Sequence, residues 1–347
     1  MCVPKKSQLH FRDVEWKKLY NGMNNHSEQR GTETMIHKIS VPTPFAVGDV
    51  NSYLLKEDAL TLVDVGPKTE EALVSLKKGI QEAGYAISDI EQVLLTHHHP
   101  DHAGWVDAFE QATILGHAYN QPWLTKDKDF FQFHDKFYLQ SLIEEGVPEN
   151  YLRWVEKMKR PLHFIGNRPV EKFLQDGDIV PGHPKFTVLE TLGHAQSHLS
   201  FWSEKEKVLI GGDLIIDKIS SNPLIEPPLN KGKRAKSMLQ YNASLKRIQS
   251  LPVEKIYSGH GEEVYNVYEL LTIRLEKQRE RAMKVLDMMK VGEKTIFELT
   301  QELFPKVYEK ELGLTLSETI GQVDYLMDNE YITERRTEEG ILLYGQA

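Results

Sequence analysis

A single cysteine, Cys2, stands in 347 residues, so no disulfide within the chain can staple the fold. The same scarcity rules out thiolate metal sites, and any transition metal must be held by histidine and carboxylate. Long apolar runs are missing too, and none approaches the ~18–20 residues needed to cross a bilayer. Residues 1–15 lack the apolar stretch of a secretory signal. These absences predict a cytoplasmic chain. Basic charge is also short, with 42 Lys and Arg against 51 Asp and Glu and a net charge of −9. Such a surface offers polyanions no general attraction. Internal repeats and low-complexity tracts are absent.

Hydrophobic residues make up 40% of the chain, enough for a real core. The length suits about two domains at roughly 150 residues each. Residues 1–34 are polar and aperiodic and predict a disordered extension, with Met35 a candidate start directly before the strand-like Ile36–Val41. Over residues 35–265, short β-rich runs alternate with helical stretches, the rhythm of an α/β fold. Leu60–Val65 is a buried-strand run ending at Gly66-Pro67. Thr69 then caps a predicted helix whose Ala72, Leu73, Leu76, Ile80 and Ala83 share one face, with Gly84 as its stop. Val93–Thr96 is a short strand that leads into His97. Further strands are predicted at Phe186–Leu192, His198–Trp202, Lys207–Ile210 and Lys255–Tyr257.

Two segments break this rhythm. About residues 116–165 form a helical insertion rich in aromatics, among them Trp123, Phe130, Phe131, Phe133, Phe137, Tyr138 and Trp154. So much apolar surface must cover something, either as extra core over a sheet edge or as a lid over a site. Residues 266–347 carry helical runs at Val267–Lys290, Thr295–Leu303 and Ser317–Asn329. A hairpin of Tyr331–Glu334 and Ile341–Tyr344 follows. Helix, helix, helix, hairpin is the order of a winged helix.

The segment that carries chemistry is Thr96-His97-His98-His99-Pro100-Asp101-His102-Ala103-Gly104. In an extended stretch His97 and His99 project to the same side. The chain then turns at Pro100 and presents Asp101 and His102 together. Two imidazoles can serve one metal, and a carboxylate with an imidazole can serve a second. A merely His-rich surface loop is the bland alternative, and four ligand-type residues in six positions after a buried strand argue against it. Further ligands must come from distant segments, each just past a strand-like run. His194 stands in Leu192-Gly193-His194, Asp213 in Gly211-Gly212-Asp213 and His260 in Gly259-His260-Gly261. The glycines let the backbone turn sharply beside the metals.

HxHxDH followed by these GH, GD and GHG turns resembles the metallo-β-lactamase superfamily, in its glyoxalase II-like and lactonase-like branch. The resemblance covers about residues 35–260. It implies a metallo-β-lactamase αββα sandwich, here with the helical insertion and a C-terminal winged-helix-like domain. By that pattern His97, His99 and His194 bind one metal, Asp101, His102 and His260 bind the other, and Asp213 bridges them. Asp64, in Val63-Asp64-Val65-Gly66, would orient a ligating histidine from behind. His98 is not a ligand position in the family. His198 either supports the site from behind or is a buried, hydrogen-bonded strand residue. The C-terminal order is similar to the tail of β-lactamase-like proteins that cleave single-stranded RNA.

The implied cofactors are two divalent ions per chain, zinc by default, with Mn or Fe fitting the same N/O ligands. The implied activity is hydrolysis by a metal-bridging hydroxide, with Asp101 as the catalytic residue that contacts the nucleophile and passes on a proton. Superfamily members cut many bonds, so the substrate must be argued separately. Residues 261–347 hold 11 Lys and Arg against 18 Asp and Glu, a poor grip for nucleic acid. Arg274, Arg279 and Arg281, interleaved with Glu276 and Glu280, are expected to form exposed i,i+4 pairs. The expectation is therefore a small ester, thioester or lactone, with no membrane partner and with the tail serving packing or a homodimer. Cleavage of single-stranded RNA is the alternative.

Overall fold

The computed structural model describes residues 35–230 and 232–347. The predicted N-terminal extension lies outside the described residues. Strand β1 (Met35–Val41) runs antiparallel to β2 (Val50–Lys56), which pairs antiparallel with β3 (Leu60–Val63). From there the sheet turns parallel, because α1 (Glu70–Glu82) carries the chain back before β4 (Gln92–Leu94). The Thr69 hydroxyl accepts from the Ala72 N–H, so the predicted cap is real. Ala72, Leu76 and Ile80 bury their shared face against Leu54, Leu62 and Val93 of the sheet. β5 (Thr113–Gly116) and the short β6 (Lys172–Phe173) extend it in parallel.

The second sheet has the order β10-β9-β8-β7, built from β7 (Thr187–Glu190), β8 (Leu199–Ser203), β9 (Val208–Gly212) and β10 (Lys255–Ser258). β9 and β10 are parallel and joined through helix α5 (Ser237–Gln249). Tyr53, Leu55, Val63 and Leu94 of the first sheet meet Val188, Phe201 and Ile210 of the second in one buried layer. On the far side, Tyr241, Leu245 and Ile248 of α5 and Leu271 cover Leu209 and Ile256. The layers run helix, sheet, sheet, helix, the expected α/β architecture with two mixed sheets. β3, β4, β7, β9 and β10 all end toward one edge of this sandwich, and the loops that follow them meet there.

Strand β2 carried no readable sequence signal. Six of its seven residues are buried, polar Asn51 and Ser52 among them, so it has no in-out alternation. Asn51 is tolerated because its side-chain amide donates to the Ser258 and Gly261 carbonyls.

The insertion folds as α2 (Asn120–Leu124), α3 (Lys128–Glu144) and α4 (Trp154–Met158). Its aromatics divide. Tyr119, Trp123 and Phe130 form a small cluster with Ile165. Phe137, Tyr138 and Trp154 instead pack, beside Leu142, Val147 and Val155, on the core of the C-terminal segment. That segment contains α6 (Val267–Met288), α7 (Ile296–Leu303), α8 (Leu312–Asp328), β11 (Ile332–Arg336) and β12 (Leu342–Gln346). Three helices and a hairpin therefore occur in the predicted order. α8 starts five residues before the predicted Ser317, because no side chain caps its N-terminus to mark its start. It packs against α4, α5, α6 and α7 and buries polar as well as apolar residues. Residues 35–347 form a single unit in which the tail shares a core with the insertion. Among the described residues no helix is long and apolar enough to cross a membrane.

Candidate metal centre

Asp64 follows β3 with φ 57°, a left-handed conformation that aspartate adopts more readily than most residues. Its carboxylate accepts from the Thr96 N–H at 2.8 Å, the Thr96 hydroxyl at 2.7 Å and His102 Nδ1 at 2.7 Å. One buried side chain thus fixes both ends of the histidine loop. Inside the loop the N–H groups of His102 and Ala103 both donate to the His99 carbonyl and close the turn at Pro100. Gly104 lies so close to the Gly66–Lys68 backbone that a Cβ would collide with it. At Gly259 a Cβ would strike the Asp213 carboxylate. Both glycines are there for close approach.

All seven predicted ligands converge. His99 Nδ1 lies 2.9 Å from His97 Nε2 and 3.1 Å from His194 Nε2. Asp101, His102 and His260 form a second group, with His260 Nε2 3.3 Å from Asp101 Oδ2. Asp213 lies between the two. Its Oδ1 is 3.3 Å from His102 Nε2, and its Oδ2 is 3.4 Å from His260 Nε2 and 3.6 Å from His194 Nε2. The outward nitrogens of His97, His102, His194 and His260 are anchored. His97 Nδ1 meets the Thr96 hydroxyl at 2.9 Å, while His194 Nδ1 donates to the Asn222 carbonyl and His260 Nδ1 to the Asp49 carbonyl. An anchored Nδ1–H leaves Nε2 with a lone pair facing inward.

The inward atoms fit metal ions. His102 Nε2, His260 Nε2 and Asp213 Oδ1 are buried without a hydrogen-bond partner, which is costly unless a cation joins them. Electrostatics agree. Burial works against charge on His102 and His260 more than any other single effect, yet Asp213 and Asp101, joined at His102 by Asp64, together outweigh it and raise both, His260 to about 10. Burial works equally against charge on Asp213, but His260 and His102 hold its carboxyl well below the usual range. Carboxylates that stay ionised and favour positive charge on their neighbours also favour a metal cation. His194 is lowered to about 4 by burial and by the neighbouring His99, so it stays neutral and able to ligate. Five imidazoles and two carboxylates make a set that zinc, manganese and iron all accept.

His198 faces this cluster from behind. Its Nε2 accepts from the Asp213 N–H at 3.1 Å and its Nδ1 meets the Thr191 hydroxyl at 2.8 Å, so it braces Asp213. Two neighbours of the site were not foreseen. His98 stacks on Trp123, with ring centroids 4.3 Å apart and planes 20° apart, and its Nε2 lies 3.0 Å from Glu226 Oε1. Glu226 is buried and had no sequence signal, standing alone before Pro227-Pro228.

Residues 46–260 match the family described as the metallo-beta-lactamase superfamily. The chain belongs to that superfamily. This metallo-beta-lactamase superfamily member is 41% identical over 303 residues to the probable metallo-hydrolase YqjP of Bacillus subtilis (strain 168), covering 87% of this chain and 95% of that protein. It is also similar, at 26% identity, to a hydroxyacylglutathione hydrolase of Bdellovibrio bacteriovorus, over 50% of this chain and 49% of the relative. Among solved structures, the metallo-beta-lactamase family protein TTHA1429 of Thermus thermophilus superposes with a TM-score of 0.74 at 27% identity. That match covers 90% of this chain and 98% of the other. With its buried His/Asp clusters, this superfamily member is a metal-dependent hydrolase.

Proposed function

We propose that the chain is a two-metal hydrolase of a small ester, thioester or lactone. The observation that carries the two-metal reading is the position of Asp213, with one oxygen toward His102 and the other toward His194 and His260. His97, His99 and His194 would hold one ion and Asp101, His102 and His260 the other, with Asp213 shared. When bound, two such ions acidify a water and polarise the bond to be cut. Asp101 is the least buried of the three clustered carboxylates, and its Oδ2 stands beside His260 Nε2. There it can accept a proton from the attacking water and hand it to the leaving group.

Several observations favour an acyl substrate over RNA. Trp123 brings an apolar ring next to the metal-ligand loop, where it stacks on His98. Two of the three arginines that could have gripped phosphates are otherwise engaged, while Arg279 is exposed. Arg274 Nη2 donates to the carbonyls of Ile216, Asp217 and Ile219, and Arg281 pairs with Glu318. Neither forms the exposed i,i+4 pairs expected from the sequence. One relative is named for hydrolysing hydroxyacylglutathione, an acyl compound. We read the tail as winged-helix-like and as a packing or dimerisation module. The test is a panel of acyl thioesters, lactones and single-stranded RNA on zinc-loaded protein, with acyl hydrolysis expected. RNA cleavage without any acyl hydrolysis would replace this reading with the nuclease one.

A further inference from the structure

Glu226 belongs to a segment, residues 221–227, that lies across the back of the metal centre. The segment is pinned from two sides. The Ile225 N–H donates to the Ser317 hydroxyl of α8 at 3.2 Å. The Tyr138 hydroxyl donates to the Ile225 carbonyl at 2.6 Å, and the Tyr119 hydroxyl to the Pro227 carbonyl at 2.7 Å. The insertion and the C-terminal segment together therefore set where the Glu226 carboxylate stands.

That carboxylate is held at both oxygens. Oε2 accepts from the Gln196 N–H at 2.6 Å, two residues beyond His194. Oε1 lies 3.0 Å from His98 Nε2, and the His98 ring is itself fixed by Ser197 at Nδ1 and by the Trp123 face. The same Oε1 lies 3.8 Å from His99 Nε2, about 1 Å longer than a charge-assisted hydrogen bond. His99 presents its other nitrogen, Nδ1, to His97 and His194. It is thus reversed relative to the other four histidines, which point Nε2 inward, and it needs an acceptor at Nε2 to keep its proton there.

We propose that Glu226 is the positioning residue for His99, holding the Nε2–H tautomer so that Nδ1 is free to bind a metal. This rests on the reading of His99 as a ligand. An anionic acceptor behind a ligating imidazole fixes its tautomer and orientation and raises its basicity. His98, His99 and Glu226 also lie close enough together to hold an ion themselves. With Oε1 already joined to His98 Nε2, positioning is the role the geometry favours.

The test is zinc binding by the full chain, measured by competition with a chromophoric chelator. Imidazole nitrogen NMR, run alongside, reports the His99 tautomer. Glu226→Gln should weaken one of the two zinc ions by about 10- to 100-fold, leave the other unchanged and remove the single Nε2–H form of His99. If the unsubstituted chain binds two ions and folded Glu226→Gln binds both as tightly, this proposal is overturned while the two-metal reading stands. Equal weakening of both ions also overturns it, since that is general loosening. An unsubstituted chain that binds no zinc overturns both readings. Should Glu226→Gln fail to fold, His98→Phe keeps a ring on Trp123 and leaves the carboxylate to His99. Full zinc affinity in that variant supports the proposal, and loss of one ion overturns it.

Discussion

The Ser317 hydroxyl accepts the N–H of Ile225 at 3.2 Å and so ties a C-terminal helix to the segment that backs the metal ligands. The acidic tail would otherwise be expected to affect stability or dimerisation alone. With this bond buried, Ser317→Ala should cost ~0.5–1.5 kcal/mol in chemical denaturation. It should also lower turnover by displacing Glu226. Full activity in a variant that is measurably less stable would show that the tail only packs.

Asp64 serves three donors at once, and His102 is one of them. Asp64→Asn leaves the volume unchanged but offers an amide where an acceptor is needed. Zinc affinity should fall by about 10- to 100-fold, read by elemental analysis after dialysis against a weak chelator. The unsubstituted protein, reloaded and dialysed in the same way, should approach two ions per chain. Equal retention by variant and parent would leave Asp64 a purely structural residue.

Asp101→Asn separates chemistry from folding. Its carboxylate lies 3.3 Å from His260 Nε2 and 4.0 Å from His102 Nε2, so among the described residues its ion pairs stay within the cluster. Turnover should drop far more than melting temperature. Normal hydrolysis by the variant would remove the proton-transfer role.

Glu145 gives a pH signature away from the metals. Burial pushes its carboxyl up to about 8, against the pull of Arg234, and its Oε2 accepts from the Tyr344 hydroxyl at 3.2 Å. The folded chain therefore holds a proton that the unfolded chain releases above its ordinary value of 4.5. This contribution is fully present below that ordinary value and is lost as pH rises through about 8. Glu145→Gln keeps the group neutral, so melting temperatures measured across this range should decline less steeply than those of the parent. Parallel curves would place the ionisation elsewhere.

All seven ligand-type residues were legible because each signal is local. A buried β-rich run, a glycine and a metal-binding side chain lie within a few residues of one another at His97–His102, His194, Asp213 and His260. Strand direction then carries every such loop to one edge of the sandwich. α1 was legible for the same reason, since its apolar spacing and the Thr69 cap are contiguous. β2 was not, because it is buried on both faces and the partners of its Asn51 side chain, the Ser258 and Gly261 carbonyls, lie some two hundred residues further along the chain.

What holds the ligands in place came from the tertiary structure. The acceptors behind His194 and His260 are the carbonyls of Asn222 and Asp49, and every residue has a carbonyl. Glu226 reaches His98 and His99 across more than a hundred residues of chain, with no spacing or neighbour to mark it. Arg274 and Arg281 look like solvent-facing charges until the loop after Asp213 and Glu318 of α8 are packed against them. A side chain's chemistry and its near neighbours along the chain are written in the sequence. Which distant backbone or carboxylate completes its hydrogen bonds depends on how the sheets, the insertion and the C-terminal helices pack together.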